Sequence, residues 1–283
     1  MAIKSVLASI TGYETNSTAL ASGMGLARRL GAAIDVLHVR PDARDAIPLY
    51  VDGASGALIE KFMEQAETEA ESRANQAKSL YETACKQVRI DVPADGAKTR
   101  FITLVGQAAD EVSARGRVHD LVMFCRPPKD NAYDWRLTVE DALLSSGHPI
   151  LLLPPEPRRA MGETVALAWN GSAEAARAAS AALPILALAR RVLLLSGVRN
   201  TPVVPGLSEV GEWLERHGIA AERKKIALKA WPVGMQLASE AQQAGADFLV
   251  MGGYGHTRMR EVVFGGATQA VLEDAALPVL IAH

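Results

Sequence analysis

Residues 250–268 read VMGGYGHTRMREVVFGGAT, and their spacing decides the fold. An apolar run, DFLVM, stops at Gly252 and Gly255. Nine residues follow, and Gly265-Gly266 then open an amphipathic stretch that closes on PVLIAH. A buried strand that ends on glycines and feeds a helix is how α/β proteins hold phosphate groups. Glycine lets the backbone approach the anion, and unpaired N–H groups at the helix start complete its shell. The spacing is not a Walker A loop, since no Gly-Lys-Ser/Thr follows, and it is not a dinucleotide fingerprint. Glycines alone would equally suit a surface loop that caps a strand. Against that stand the Asp247-led strand, the two gapped glycines, the Gly265 pair, the hydroxyl of Thr268 and the closing Pro-Val-Leu run.

Working outward, the chain repeats itself. Val6–Thr15, VLASITGYET, lies over Val165–Glu174, VALAWNGSAE, and HDLVMFCRP from His119 lies over ADFLVMGGYG from Ala246. VEDALLSSGHPILLLPP likewise matches TQAVLEDAALPVLIAH. Val165 follows Val6 by 159 positions, but Ala246 follows His119 by only 127, so the first copy carries about 32 extra residues between them. These fall in Asp45–Pro93, whose core EKFMEQAETEAESRANQAKSLYETACKQV is one long charged helical pattern. The preceding stretch, Asp42–Gly56, is expected to be irregular and to fold over the first copy's cleft as a lid. Each copy alternates five strands with four helices, and the strands are short and almost continuously apolar, as parallel strands covered on both faces are. Right-handed crossovers then predict α/β architecture: two tandem doubly wound domains, each with a five-stranded parallel sheet. The domains are expected at residues 1–155 and 160–283, divided by the stiff polar linker Pro154–Arg159.

At this point the chain resembles a tandem universal stress protein, specifically through G-x-x-G-(nine residues)-G-G in the second copy and architecturally through the first. The resemblance implies that the last strands, at Pro149–Pro154 and Pro278–Ala282, pair to make an internal pseudo-dimer. It further implies a cytoplasmic stress-response protein that binds ATP or ADP, with Mg²⁺ assisting the triphosphate, and that acts as a sensor or adaptor. A homo-oligomer and unidentified protein partners are expected with it. The nucleotide would lie at Asn170, Gly171, Gly197, Gly252, Gly255, Gly265, Gly266 and Thr268. Ribose would lie near Asn170-Gly171, adenine near Gly197, and the phosphates on the Gly252, Gly255, Gly265 and Gly266 amides beside the Thr268 hydroxyl. Two departures stand out: Asn170 replaces the family's aspartate, and Gly266 replaces its Ser or Thr. The first copy reads FCRPPK at Phe124–Lys129 in place of GGYG, and its prolines remove N–H donors. No gapped glycine pair precedes its helix, expected over Thr138–Ser146, so no nucleotide is expected there. The alternative is a nucleotide-independent scaffold or small-ligand module.

Composition sets the outer limits. With 283 residues, 49% apolar residues and a net charge of -2, the chain can bury a sizeable core and has no general affinity for nucleic acid. The longest apolar stretch, Ala182–Val198, is cut by Arg190-Arg191, so no membrane span is expected, and MAIKSVLASITGYETN turns polar too early for a signal peptide. Two cysteines, Cys85 and Cys125, fit a reducing cytosol. The remaining features have plain readings. Gly23–Gly25 serves close helix packing, His38 is a core histidine bonded to main chain, and Cys125 is a half-buried inert thiol. Arg126 and Lys129 form a solvated basic turn, and Glu60–Glu82 supply a solvated helix face. No Ser-His-Asp order, HExxH pair or zinc spacing is present.

Overall fold

A computed structural model describes residues 2–14, 16–46, 56–89, 99–127, 132–156, 161–198, 203–227, 233–253 and 266–283. The first copy runs β1 (Ser5–Ser9), α1 (Asn16–Leu30), β2 (Ala33–Arg40), α2 (Gly56–Val88), β3 (Thr99–Val105), α3 (Ala108–Gly116), β4 (Leu121–Cys125), α4 (Ala132–Ser145) and β5 (Ile150–Leu153). The second runs β6 (Thr164–Ala168), α5 (Ala173–Leu186), β7 (Arg191–Gly197), α6 (Leu207–Arg216), β8 (Glu222–Ile226), α7 (Val233–Gln243), β9 (Phe248–Gly252), α8 (Gly266–Asp274) and β10 (Val279–Ala282). The expected alternation is met element for element. The helix α4 starts at Ala132, ahead of the expected Thr138. In the expected lid stretch, Ala43–Ala46 make a 3-10 turn; residues 47–55 lie outside the described residues.

The ten strands form one sheet in the order β3-β2-β1-β4-β5-β10-β9-β6-β7-β8. All neighbours are parallel except at the centre, where β5 and β10 pair antiparallel with Ile150 opposite Ile281, Leu151 opposite Leu280 and Leu152 opposite Val279. Both of these strands are wholly buried. Left unpaired, each would be an apolar sheet edge open to another chain; here each closes the other. The outer edge at β8 is built differently. In β8, ERKKI, all but Ile226 is exposed, and charge protects the open backbone.

Each face of the sheet carries helices from both copies. One face packs against α1, α2, α5 and α6 through Leu20, Met24, Ala77, Ala178 and Leu214. The other packs against α3, α4, α7 and α8 through Val112, Val139, Ala241 and Val271. Gly23 lets α1 sit close to the sheet, since a Cβ there would strike the Met123 sulfur; Gly25 meets nothing within 4 Å, so the packing explanation holds for Gly23 alone. The α2 helix, 33 residues long, turns its small residues Ala70, Ala77 and Ala84 inward and its charges outward.

Both copies tie the start of their first strand with an aspartate from the fourth. Asp120 accepts from the amides of Lys4 and Ser5 at 2.7 and 2.9 Å, and Asp247 accepts from Gly162 and Glu163 at 2.8 and 3.1 Å. Only Asp247 stands out in the sequence; its shared role with Asp120 is visible once the strands are side by side.

Candidate functional site

In the second copy, β6 is the strand from which successive connections depart in opposite directions: β7 and β8 lie on one side, β9 and β10 on the other. Ligands of open α/β sheets bind beyond the carboxyl ends at such a switch point. The ends of β6, β7 and β9 bring Asn170-Gly171, Gly197 and Gly252 to one edge of the sheet. The α8 helix begins at Gly266. Gly255 and Gly265 lie outside the described residues, as do Tyr254 and His256.

The local chemistry of these residues is specific. Asn170 is exposed, and its side-chain oxygen accepts from the Ser172 amide at 3.0 Å. Ser172 in turn caps α5 by accepting from the Ala175 amide at 3.2 Å. Asn170 thus shapes the turn into α5 with one end of its amide. Gly171 has φ +77°, and a Cβ on it would lie 3.0 Å from Val203 Cγ1 and from the Val204 carbonyl. Val203–Gly206 therefore crosses directly over the end of β6. Trp169, buried below, donates from Nε1 to the Pro205 carbonyl at 2.7 Å. Val204 itself is 75% exposed.

Gly252 does not face an open cradle. A Cβ there would lie 2.5 Å from the Ala175 nitrogen and 2.7 Å from the Glu174 carbonyl carbon, so the bare Cα admits the first turn of α5. Gly253 is equally confined: a Cβ would meet Ile281 Cγ2 at 2.6 Å and Leu143 Cδ2 at 3.3 Å, and its amide donates to Ala282 at 2.9 Å. Thr268 is buried within α8. Glu174 brings a carboxylate to the same place. Burial opposes its ionisation, but hydrogen bonds from its own amide and from Ser172, with the charges of Arg177 and His283, prevail and hold its pKa below the usual range. The carboxylate itself is paired with Arg177, whose Nη2 donates to Oε1 at 2.8 Å.

The first copy fills the matching positions with protein. Gly12, equivalent to Gly171, has φ +83°, and a Cβ on it would lie 2.7 Å from the Arg73 carbonyl of α2. Arg73 also lies over the Tyr13 ring, 4.4 Å from its centroid. His38, at the end of β2, is buried and donates from Nδ1 to the Ile10 carbonyl at 3.0 Å, as a core histidine should. Cys125 replaces Gly252. It is fully rather than half buried, and desolvation pushes its thiol pKa up to about 12.

The expectation for Arg126 is corrected. It is no solvated turn residue: it is 8% exposed and donates Nε to Leu272 O at 2.9 Å, Nη1 to Ala275 O at 2.8 Å and Nη2 to Val271 O at 3.1 Å. Position 126 is the counterpart of Gly253, which packs against a helix of the other copy. A long side chain there has to enter the seam between the copies, and in the sequence that alignment was the available signal. Among the described residues, no group of three or more His, Cys, Asp or Glu is placed to hold a metal, and no helix is long and apolar enough to cross a membrane.

No protein-family model matches this chain, and no curated protein matches it. Solved structures do. The crystal structure of a universal stress protein from Archaeoglobus fulgidus DSM 4304 matches with a TM-score of 0.66 over 98% of this chain and 97% of its own, at 15% identity. A functionally unknown protein from Pseudomonas aeruginosa PAO1 matches with a TM-score of 0.56 over 99% and 92%, also at 15% identity. The fold is that of the universal stress proteins, present here as two tandem copies in one chain.

Proposed function

We propose that the protein is a cytoplasmic stress-response sensor or adaptor that binds one ATP or ADP per chain in its second domain. The domains proposed are residues 1–155 and 160–283, the first binding no nucleotide. The observation that carries the reading is the switch point itself. Asn170-Gly171, Gly197 and Gly252 share one sheet edge beside a helix that starts at Gly266, with the stretch Gly255–Gly265 between. The exposed Asn170 suits a sugar hydroxyl, and the Gly265 and Gly266 amides suit phosphate oxygens at a helix start. Mg²⁺ offsets the triphosphate's own negative charge and strengthens ATP binding. The ligand alters a surface read by partner proteins or by further copies of the chain.

Calorimetry with the full chain tests this: one site per chain is expected, abolished by Gly265→Val in a protein that still unfolds cooperatively. Absence of binding to folded wild type at millimolar ATP or ADP overturns it. A second reading, a nucleotide-independent scaffold, is favoured by Val203–Gly206 lying over Gly171 and by Trp169 being engaged with Pro205. Denaturing the purified protein and chromatographing the supernatant separates the two. Copurified nucleotide supports the first reading.

A further inference from the structure

We infer that Arg126 makes the first copy a positioning element for the nucleotide site of the second, an inference that rests on the nucleotide reading above. A helix leaves its last carbonyls without internal partners and concentrates partial negative charge there. At the end of α8 a guanidinium from the other copy reaches the Val271 and Leu272 carbonyls and that of Ala275, one residue past the helix, at 2.8 to 3.1 Å, the Val271 carbonyl also accepting from the Ala275 amide. Burial lowers the Arg126 pKa to about 10, with the Asp274 charge opposing, so the group stays a cation at neutral pH.

Two further contacts bind the same parts together. Arg136 of α4 reaches Glu273 of α8 at 3.3 Å, and Gly253, at the exit of β9, rests against Leu143 of α4. Both the strand that precedes the glycine-rich stretch and the helix that follows it are thus braced by the first copy. The α8 helix has nine residues, roughly 13 Å at 1.5 Å per residue. Such a short rod carries a displacement of its C-terminus to Gly266 with little loss. The brace runs one way, because the residue equivalent to Arg126 in the second copy is Gly253, which has no side chain to return it.

The test uses the full chain and Mg²⁺-ATP calorimetry, paired with thermal unfolding without ligand. Arg126→Met, which fills the space without donors, is expected to weaken binding ten-fold or more at temperatures where it is folded, with the stoichiometry still one. Arg126→Lys, which keeps the charge but not the fork, is expected to fall between. Met24→Ala, a core change in the first copy on the sheet face opposite α8, lowers stability and is expected to leave affinity unchanged. An equal loss of affinity in Met24→Ala reduces Arg126 to general stabilisation and overturns the inference, as does wild-type affinity in every folded Arg126 variant. If Arg126→Met does not fold, Arg126→Lys decides: a several-fold loss supports the inference. Wild type that binds neither ATP nor ADP overturns the nucleotide reading and this inference with it.

Discussion

A single methyl group on Gly252 would sit 2.5 Å from a backbone nitrogen that has nowhere to retreat, because it belongs to the capped first turn of α5. Gly252→Ala is therefore expected to lower stability by about 1–3 kcal/mol, the usual scale for overpacking, in thermal unfolding without any ligand. An unchanged melting temperature would show that the turn yields. His38 gives the protein a pH dependence of defined sign. Burial, opposed by the Ile10 hydrogen bond and assisted by the Arg40 and Arg73 charges, depresses its pKa in the fold. The unfolded chain takes up that proton near pH 6.5, the folded one only at lower pH. Between the two values the unfolded state binds more protons, so stability falls as pH falls through that window. Above it, His38 contributes no slope. Denaturant titrations from pH 7.5 to 5.5 should show the decline, and His38→Gln should flatten it. Cys125 is buried with its thiol raised to about 12, so a thiol reagent should label it only after unfolding.

At the scale of elements, the two copies cover the end of their first strand with unlike material. In the first copy the cover is α2, seated through alanines; in the second it is the short Val203–Gly206 crossing. Ala77→Leu puts a branched side chain beneath α2, where Ala77 is fully buried, and should cost about 1–3 kcal/mol. A melting temperature equal to wild type would mean that α2 floats on the sheet. Gly266→Ser at the start of α8 should leave binding unchanged or tighten it, since a hydroxyl adds a donor and suits a helix terminus. A marked loss of affinity in calorimetry would place the phosphates elsewhere.

For the whole molecule, the antiparallel pairing of β5 and β10 predicts that separately expressed halves self-associate or precipitate, each offering a buried four-residue strand to water. Two soluble, monomeric halves in sedimentation would contradict the seam as a necessary interface. That seam was legible in the sequence because PILLL and PVLIA are proline-led and wholly apolar, and the element order followed from glycine and proline punctuation. Other features were hidden. The sequence does not say that Gly252 admits a helix or that Trp169 reaches Pro205. The expectation for Arg126 failed because a basic residue beside two prolines reads as a surface turn. Its partners lie 145 to 149 positions away, on a helix brought alongside only by the seam. Periodicity records which face is buried, not what lies opposite it.

The covalent joining of the copies has a consequence for what each can become. In a symmetric dimer of separate chains every substitution appears twice, once on each side of the axis. A Cys-Arg pair in place of Gly252-Gly253 would then remove both glycine turns at once, leaving two braces and nothing to brace. One polypeptide escapes that constraint. It keeps glycine on one side and arginine on the other, so the copies can specialise while remaining permanently paired at any protein concentration.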